Sequence, residues 1–314
     1  MHPSLFFKLF PPPKFLVMPH SGLEISDDAL RLIEYRRGHT GLTISKHGSL
    51  ELPDGLIDGG EIKDEKRFAG LLSDFAKKNN ITYSKVSLPE EKAYLFQTDI
   101  PSNDVAAITQ NVEFKLEENV PLQAIDAIFY FDILPASVTG GALRASVSVV
   151  PRAYVENMIS FLREAGITPV AFEVAPKSIA RSVVLPKSED TLLVAHVMNN
   201  KTGIYIVSGG VVCFSSTIMT NGFDLKILNK EITKVNEYWN NRSDTHSLIA
   251  RVVFVGHFDE KSKKTIESAF VDTELKVSIA DVWSNILSAG VSSSPMPKID
   301  SLEYVVAAGL ALPI

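Results

Sequence analysis

The segment LLVAHVMNNKTGIYIVSGGVVCFSSTIMTNGFDL, residues 192–225, constrains the fold of this chain more than any other. Its apolar runs are separated by short polar turns, a pattern typical of three consecutive strands followed by a helix. A hairpin of this shape can bind phosphate when an acid and a glycine stand beside its turn. This chain has His196 and Met198 there. The pattern therefore indicates a phosphate-binding scaffold without its chemistry.

Length and composition indicate a folded protein of two domains. The chain has 314 residues, of which 45% are hydrophobic and 22% charged, and this is ordinary for folded proteins of that size. The net charge of −6 gives no basic face for nucleic acid, so no nucleic-acid partner is expected. The single cysteine, Cys213, excludes an internal disulfide and is interpreted as a buried small side chain.

Residues 1–17 are interpreted as an N-terminal tail. They are apolar and aromatic but are interrupted by Pro11–Pro13, so the leading segment is too short to cross a bilayer. Nowhere does an apolar run reach about 20 residues, and no transmembrane segment is expected. Two readings of the tail stay open: contact with a membrane or a partner, or a frayed lead into the first strand.

Strand-rich blocks with interleaved helices occur twice, near residues 21–100 and 190–280. A stretch at 90–168 with its own strands and helices interrupts the first block. The polar triplet Lys46-His47-Gly48 is predicted to be a turn between two short strands. Helices are predicted over Arg152–Ala165, closed by Gly166, over Lys226–Trp239 and over Tyr304–Leu312.

No conventional active site is evident, and no catalytic or metal-binding residue is predicted. The histidines lack metal-ligand spacing, and the glycine-rich phosphate loops and nucleophile motifs are absent from the sequence. The pair Glu90-Glu91 is interpreted as a solvated face. Glu24 stands inside an apolar strand, where burial of an acid is costly and suggests a functional role. The alternative is a carboxylate at the strand end that faces water or a helix N-terminus.

Several motifs, in the same order along the chain, resemble the PilM family of type IV pilus assembly proteins, actin-like relatives of the division protein FtsA. The matching segments are Pro53-Asp54-Gly55, GEIKD at 60–64, Ser87-Leu88-Pro89, Ile100-Pro101, VEFKLEENVP at 112–121, FLREAGITPVAFEVAPKSIAR at 161–181 and GLAL at 309–312. The resemblance extends from about residue 21 to the C-terminal helix.

The resemblance implies an α/β, actin-like (ribonuclease H-like) fold of two related halves. It implies an inserted small subdomain in the first half, ATP bound between the halves, and a cytoplasmic platform that captures the N-terminal tail of the inner-membrane protein PilN. The expected division is 1–17 tail, 18–87 first half, 88–168 insert, 169–189 return to the first half, 190–280 second half with a small subdomain reduced to about 222–251, and 281–314 C-terminal loop and helix packing on the first half.

This chain departs from the family where the nucleotide would bind. Glu24 replaces an aspartate, Ser26 replaces a glycine, and the acids Asp27 and Asp28 follow. His196 and Met198 replace the acid and glycine of the second loop, and the adenosine motif keeps one glycine, Gly256. Only about 28 residues separate Gly222 from Arg251, where the family has a whole subdomain. We therefore expect a pseudo-ATPase without a cofactor.

Two alternatives stay open. In the first, the chain is an active ATPase that binds ATP and Mg²⁺ with Glu24, Ser26, Arg31, Asn199, Asn200, Lys201 and Gly256, since a lysine can hold phosphate as a point charge. In the second, it is a filament-forming, FtsA-like division protein. This one is the weaker, because the sequence stops at Pro313-Ile314 without the amphipathic membrane helix of those proteins.

The expected function is a scaffold at the inner face of the cytoplasmic membrane, held there by a PilN-like tail. Other pilus assembly components are expected partners, and a homo-oligomer stays open. The tail is predicted to bind as an extended segment. The predicted groove is Leu88, Pro89, Phe96, Phe114, Leu116, Val120 and Pro121.

Overall fold

The computed structural model describes residues 20–37, 42–100, 104–134, 143–185, 188–220, 222–241, 248–269, 275–283 and 298–312. These residues form two five-stranded sheets, a three-stranded sheet and a two-stranded ribbon. The tail at 1–17, and with it the question of membrane contact, lies outside the described residues. Within the described ranges, no helix combines the length and apolarity that a membrane crossing requires.

The first sheet has the strand order β10-β6-β1-β2-β3. Its strands are β1 (Ser21–Ile25), β2 (Ala29–Arg37), β3 (Leu42–Glu51), β6 (Tyr83–Leu88) and β10 (Thr168–Val174). β1 pairs antiparallel with β2 across a turn at residues 26–28, and parallel with β6. The two-stranded ribbon, β4 (Ile57–Asp58) and β5 (Glu61–Ile62), follows β3 in sequence.

Helices cover both faces of the first sheet, and β1 and the first half of β2 are buried on both faces. Leu23 and Leu32 face α1 (Glu65–Asn79) and α3 (Arg152–Glu164) in one core. The opposite face packs on α4 (Ala175–Val183) and on α8 (Val305–Ala311), which follows the short α7 (Lys298–Ser301). A Cβ on Gly22 would lie 2.1 Å from the Ala307 carbonyl oxygen. Gly22 therefore lets α8 approach β1 at backbone distance.

The predicted turn at Lys46-His47-Gly48 is wrong, because β3 runs through it without a break. The β2–β3 ladder pairs Glu34 with Lys46, Ile33 with His47 and Leu32 with Gly48. β3 is an edge strand whose residues alternate between half-buried and exposed. Polar residues at its exposed positions therefore resemble a turn in the sequence.

The second sheet has the order β13-β12-β11-β14-β15. It consists of β11 (Thr191–Val197), β12 (Lys201–Ser208), β13 (Val211–Met219), β14 (Ile249–Gly256) and β15 (Lys276–Ile279), with α5 (Leu225–Asn240) and α6 (Glu260–Ala269). The predicted strands of segment 192–225 are confirmed, and β11 is buried along its whole length. Among the described residues between β13 and β14 lies the helix α5, which the sequence predicts; the Asp224 carboxylate caps its first turn.

The chain leaves the first sheet after β6 and returns to it at β10. Between them it forms a separate sheet, the insert sheet, of β7 (Tyr94–Asp99), β8 (Ala127–Ile133) and β9 (Arg144–Pro151), in the order β7-β9-β8. Helix α2 (Val105–Asn119) covers one face with Ile108, Val112 and Leu116. The other face of the insert sheet points toward β13.

Candidate functional site

Two turns, one from each of the two large sheets, meet in what we call the cleft. The turn at residues 26–28 joins β1 to β2, and the turn at residues 198–200 joins β11 to β12. The Asn199 Nδ2 donates to Asp28 Oδ2 at 3.0 Å. The Lys201 Nζ donates to Asp27 Oδ2 at 2.9 Å and also to the Glu91 carboxylate. The cleft is therefore bridged by side chains of the protein itself.

The Asp27 carboxylate is bound by more than the lysine. Its two oxygens accept the backbone N–H groups of Gly59 and Gly60 at 3.1 and 2.9 Å. Both glycines have positive φ values, 55° and 73°, which orient successive N–H groups toward one anion. The side chain of Asp27 is 24% exposed and that of Lys201 is 9% exposed, so the pair is largely shielded from water.

Glu24 lies at the floor of the cleft beside Arg31, with 3.7 Å between the guanidinium and the carboxylate. Arg31 also donates to Glu303 at 3.3 Å. Burial raises the pKa of Glu24 from 4.5 to about 8, against the opposing effect of Arg31. A carboxyl with that pKa is mainly protonated at neutral pH, and a protonated carboxyl is a poor ligand for Mg²⁺.

His196 and Met198 fill the second side of the cleft, and both are buried. Burial lowers the pKa of His196 to about 3, so its ring is neutral at physiological pH. Gly256 packs against the end of β11. Its φ is +102°, and a Cβ there would lie 2.0 Å from the Val197 carbonyl oxygen. The one glycine kept from the adenosine motif therefore packs against β11.

The side chains of the cleft leave little room for ATP with Mg²⁺. The cavity bounded by Glu24, Ser26, His196, Met198 and Lys201 has a volume of about 20 Å³, which is room for about one water molecule. Across the described ranges, His, Cys, Asp and Glu side chains nowhere gather in threes that could hold a metal ion. The cation best placed for phosphate, Lys201, already has two carboxylate partners.

The remaining residues of the predicted nucleotide site are also engaged within the protein. The Ser26 hydroxyl donates to Asp28 Oδ1 at 2.7 Å. Asn200 is exposed at the tip of the β11–β12 turn, and its carbonyl accepts the Thr220 N–H at 2.9 Å. The structure thus brings Glu24, Ser26, Arg31, Asn199 and Lys201 to one cleft, where they bind one another or neighbouring side chains.

A larger cavity of about 270 Å³, which we call the lateral cavity, lies between the insert sheet, the start of α4 and strand β13. Leu95, Ser146 and Ser148 line it from the insert sheet, and Ser216 lines it from β13. β13 is the edge strand of its sheet. Two side chains of the insert sheet donate to backbone carbonyls of β13. Ser146 Oγ donates to the Val212 carbonyl at 2.6 Å, and Gln97 Nε2 donates to the Cys213 carbonyl at 2.9 Å.

Acidic side chains dominate the charge of the lateral cavity. Glu90, Glu91 and Asp132 line it together with one cation, Lys177. Lys177 donates to Asp132 at 3.0 Å, and Glu90 accepts the Tyr205 hydroxyl at 2.7 Å. The Glu91 Oε2 is buried and has no hydrogen-bond partner among the described residues. The interpretation of Glu90-Glu91 as a solvated face is therefore wrong, because the pair joins the cleft to the lateral cavity.

Most residues of the predicted tail groove are buried in the structure. Leu88, Phe96, Leu116 and Val120 are buried, with 4%, 9%, 0% and 5% exposure, and Pro89 is buried as well. Phe114 is exposed on α2 and Pro121 is exposed after it. Phe96, Leu116 and Val120 pack together in the core of the insert, since an apolar helix face packs inside its own domain before it can serve a partner. No local sequence signal indicates the lateral cavity, because its walls come from separate segments between residues 90 and 217.

Two mixed five-stranded sheets, each of which contributes one of two facing turns, are typical of an actin-like α/β fold. The structural comparisons confirm this fold. The chain is similar to a chain of the PilM–PilN type IV pilus biogenesis complex, with a TM-score of 0.77 and 17% identity over 94% of this chain and 98% of that one.

Two further structures share the fold at lower similarity. They are the cytoplasmic domain of EpsL, an inner-membrane component of the type II secretion system of Vibrio cholerae (TM-score 0.50, 10% identity, 95% of this chain and 97% of that one), and the ethanolamine utilization protein EutJ of Carboxydothermus hydrogenoformans (TM-score 0.50, 12% identity, 96% and 90%). The sequence itself matches no known family profile and no curated protein.

Proposed function

We propose that this chain is a cytoplasmic adaptor of a type IV pilus system that binds the N-terminal tail of a PilN-like inner-membrane protein without using a nucleotide. The observation that carries the proposal is the similarity to a PilM–PilN complex chain over 94% of the sequence. Through that tail the adaptor would be held at the inner face of the cytoplasmic membrane, where it would meet other assembly components.

The lateral cavity is the tail site we propose, in place of the groove on α2. An extended peptide beside β13 can hydrogen-bond to the backbone of this edge strand, while its side chains enter the cavity. The cavity volume of about 270 Å³ accommodates one or two side chains rather than a folded domain. The unpartnered oxygen of Glu91 favours a tail that places a hydrogen-bond donor or a basic side chain there.

Nucleotide independence is supported by the cleft. A bound triphosphate would have to separate Lys201 from Asp27 and Glu91, and would then lie against four nearby carboxyl groups: Glu24, Asp27, Asp28 and Glu90. No observation favours the active-ATPase alternative over this one, and the FtsA-like alternative has no support in the described residues either.

The test is a binding titration between the purified protein and a synthetic peptide of the partner's N-terminal tail. Ser148→Trp places a large ring in the lateral cavity and should weaken binding at least about tenfold. Ser49→Trp, on the exposed face of the edge strand β3, is the matched control and should bind as the wild type does.

Phe114→Glu distinguishes the two locations. Phe114 is 72% exposed, so this change can be made without disturbing the core. Full binding by Phe114→Glu together with loss in Ser148→Trp supports the lateral cavity. Loss in Phe114→Glu with full binding by Ser148→Trp would return the site to the surface of α2, and no binding by the wild type would refute the adaptor function.

A further inference from the structure

The cleft contains an anion site that the protein occupies with its own carboxylate. We infer that Gly59, Gly60 and Lys201 form a cradle for one anion, and that the Asp27 carboxylate is its permanent ligand, which takes the place of a phosphate group and fastens the two halves together. This inference goes beyond tail binding and does not depend on it.

The donors of the cradle are those that proteins use for phosphate. Two successive backbone N–H groups, from Gly59 and Gly60, point at one carboxylate with lengths of 3.1 and 2.9 Å. A lysine ammonium completes the set at 2.9 Å. Consecutive N–H groups in a turn together with a point cation make a general anion site. An external phosphate would meet the same donors if Asp27 were absent.

The cradle and its ligand come from three parts of the chain. Asp27 belongs to the β1–β2 turn, the glycines to the β4–β5 ribbon, and Lys201 to the start of β12 in the second sheet. The Asp27–Lys201 pair spans 174 residues of sequence. The carboxylate therefore links the two halves across the cleft, as a ligand bound between them would.

Other contacts hold the cradle in place. The Tyr154 hydroxyl donates to the Gly60 carbonyl at 3.0 Å, which fixes the peptide plane of the ribbon. Glu91 also accepts from Lys201, and so helps to keep the ammonium beside the cleft. Asn199 and Asp28 make a second bridge across the cleft, a hydrogen bond of 3.0 Å from the Asn199 amide nitrogen to the Asp28 carboxyl oxygen.

The experiment replaces the internal anion by an external one. Asp27→Gly removes the carboxylate and leaves a space that a small anion can enter, and sodium formate is the probe. We expect a melting temperature several degrees below that of the wild type. A ligand at ten times its dissociation constant should then raise it by about 2–4 °C, relative to sodium chloride at equal ionic strength.

Asp28→Gly is the matched control, since it changes the neighbouring acid in the same turn but leaves Asp27 in the cradle. It should respond to formate no more than the wild type does. In Asp27→Gly with Lys201→Met the formate response should be lost. In addition, the amide resonances of Gly59 and Gly60 should shift with formate in Asp27→Gly alone.

An equal response to formate in wild type, Asp28→Gly and Asp27→Gly would overturn the inference, as would unmoved Gly59 and Gly60 resonances in Asp27→Gly. If Asp27→Gly does not fold, Asp27→Asn replaces it. Asp27→Asn lowers the melting temperature by a certain amount in the wild type, and in the Lys201→Met background that amount should be at most half as large. The reason is that Lys201→Met has already removed the ammonium with which Asp27 pairs. An undiminished loss in that background would contradict the inference.

Discussion

Glu24→Gln should stabilise this protein at neutral pH, although it removes an acid that contacts an arginine. Glu24 is buried, and its pKa is raised from 4.5 to about 8. At pH 7 the folded state therefore holds a proton that the unfolded state has lost. This difference lowers the free energy of unfolding, because the unfolded chain gains by ionising. Glutamine keeps the shape of the protonated acid and removes that gain.

The magnitude follows from the two pKa values. Between pH 4.5 and pH 8, each pH unit costs the wild type about 1.4 kcal/mol of stability. The advantage of Glu24→Gln should therefore be under about 1 kcal/mol at pH 5 and about 3 kcal/mol at pH 7. Because the folded pKa is the raised one, this part of the stability is fully present below pH 4.5 and is lost as pH rises toward 8.

Denaturant unfolding at pH 5, 7 and 8 measures this advantage as a difference between variant and wild type. A matched change at an exposed acid, Glu51→Gln on β3, should give no pH-dependent difference. A Glu24→Gln variant that is less stable than the wild type at pH 7, or equally shifted at every pH, would refute the reasoning. Such a result would mean that Glu24 is ionised in the folded protein and paired with Arg31.

Three further predictions concern the same region. Because the pKa of His196 is lowered from 6.5 to about 3, the free energy of unfolding should fall as pH drops below 6.5. Denaturant unfolding of His196→Leu should show a smaller fall, and the same fall in variant and wild type would contradict the prediction. The Cβ added by Gly256→Ala would lie 2.0 Å from the Val197 carbonyl oxygen. Gly210 has a similar φ of +82°, but the Cβ added by Gly210→Ala would meet no atom within 4 Å. Thermal unfolding should therefore show both below the wild type, with Gly256→Ala lower by at least about 2 °C; equal losses would refute the close contact. Tyr205→Phe leaves Glu90 without its 2.7 Å donor and should cost about 1–3 kcal/mol in denaturant unfolding, and a neutral result would contradict the contact.

The sequence predicts the framework of the second half because its signals are local. β11 contains the apolar run at 192–195, and the two hairpin turns of β11–β12 and β12–β13 are marked by Asn199-Asn200 and by Gly209-Gly210. Such runs between polar turns fix strands without reference to the rest of the chain. The helix α3 was predictable for the same reason, since Gly166 takes the left-handed conformation, with a φ of +78°, just after its end.

The site was less predictable because its contacts are distant in sequence. Asp27 alone predicts repulsion of a phosphate; its role as an internal ligand depends on Lys201 and on the β4–β5 ribbon. The predicted tail groove, most of whose residues are buried, depends on a different kind of signal. Leu116 and Val120 have the spacing of an apolar helix face, and that spacing does not distinguish a face that covers its own sheet from one that awaits a partner.

The central claim, tail binding without nucleotide, is tested most directly by one titration. The affinity of the wild-type protein for the partner's tail peptide is measured in the presence of EDTA without nucleotide, and again with millimolar Mg-ATP. The filled cleft, with its cavity of about 20 Å³, predicts the same dissociation constant in both conditions. Binding that requires Mg-ATP, or that changes tenfold with it, would contradict the account.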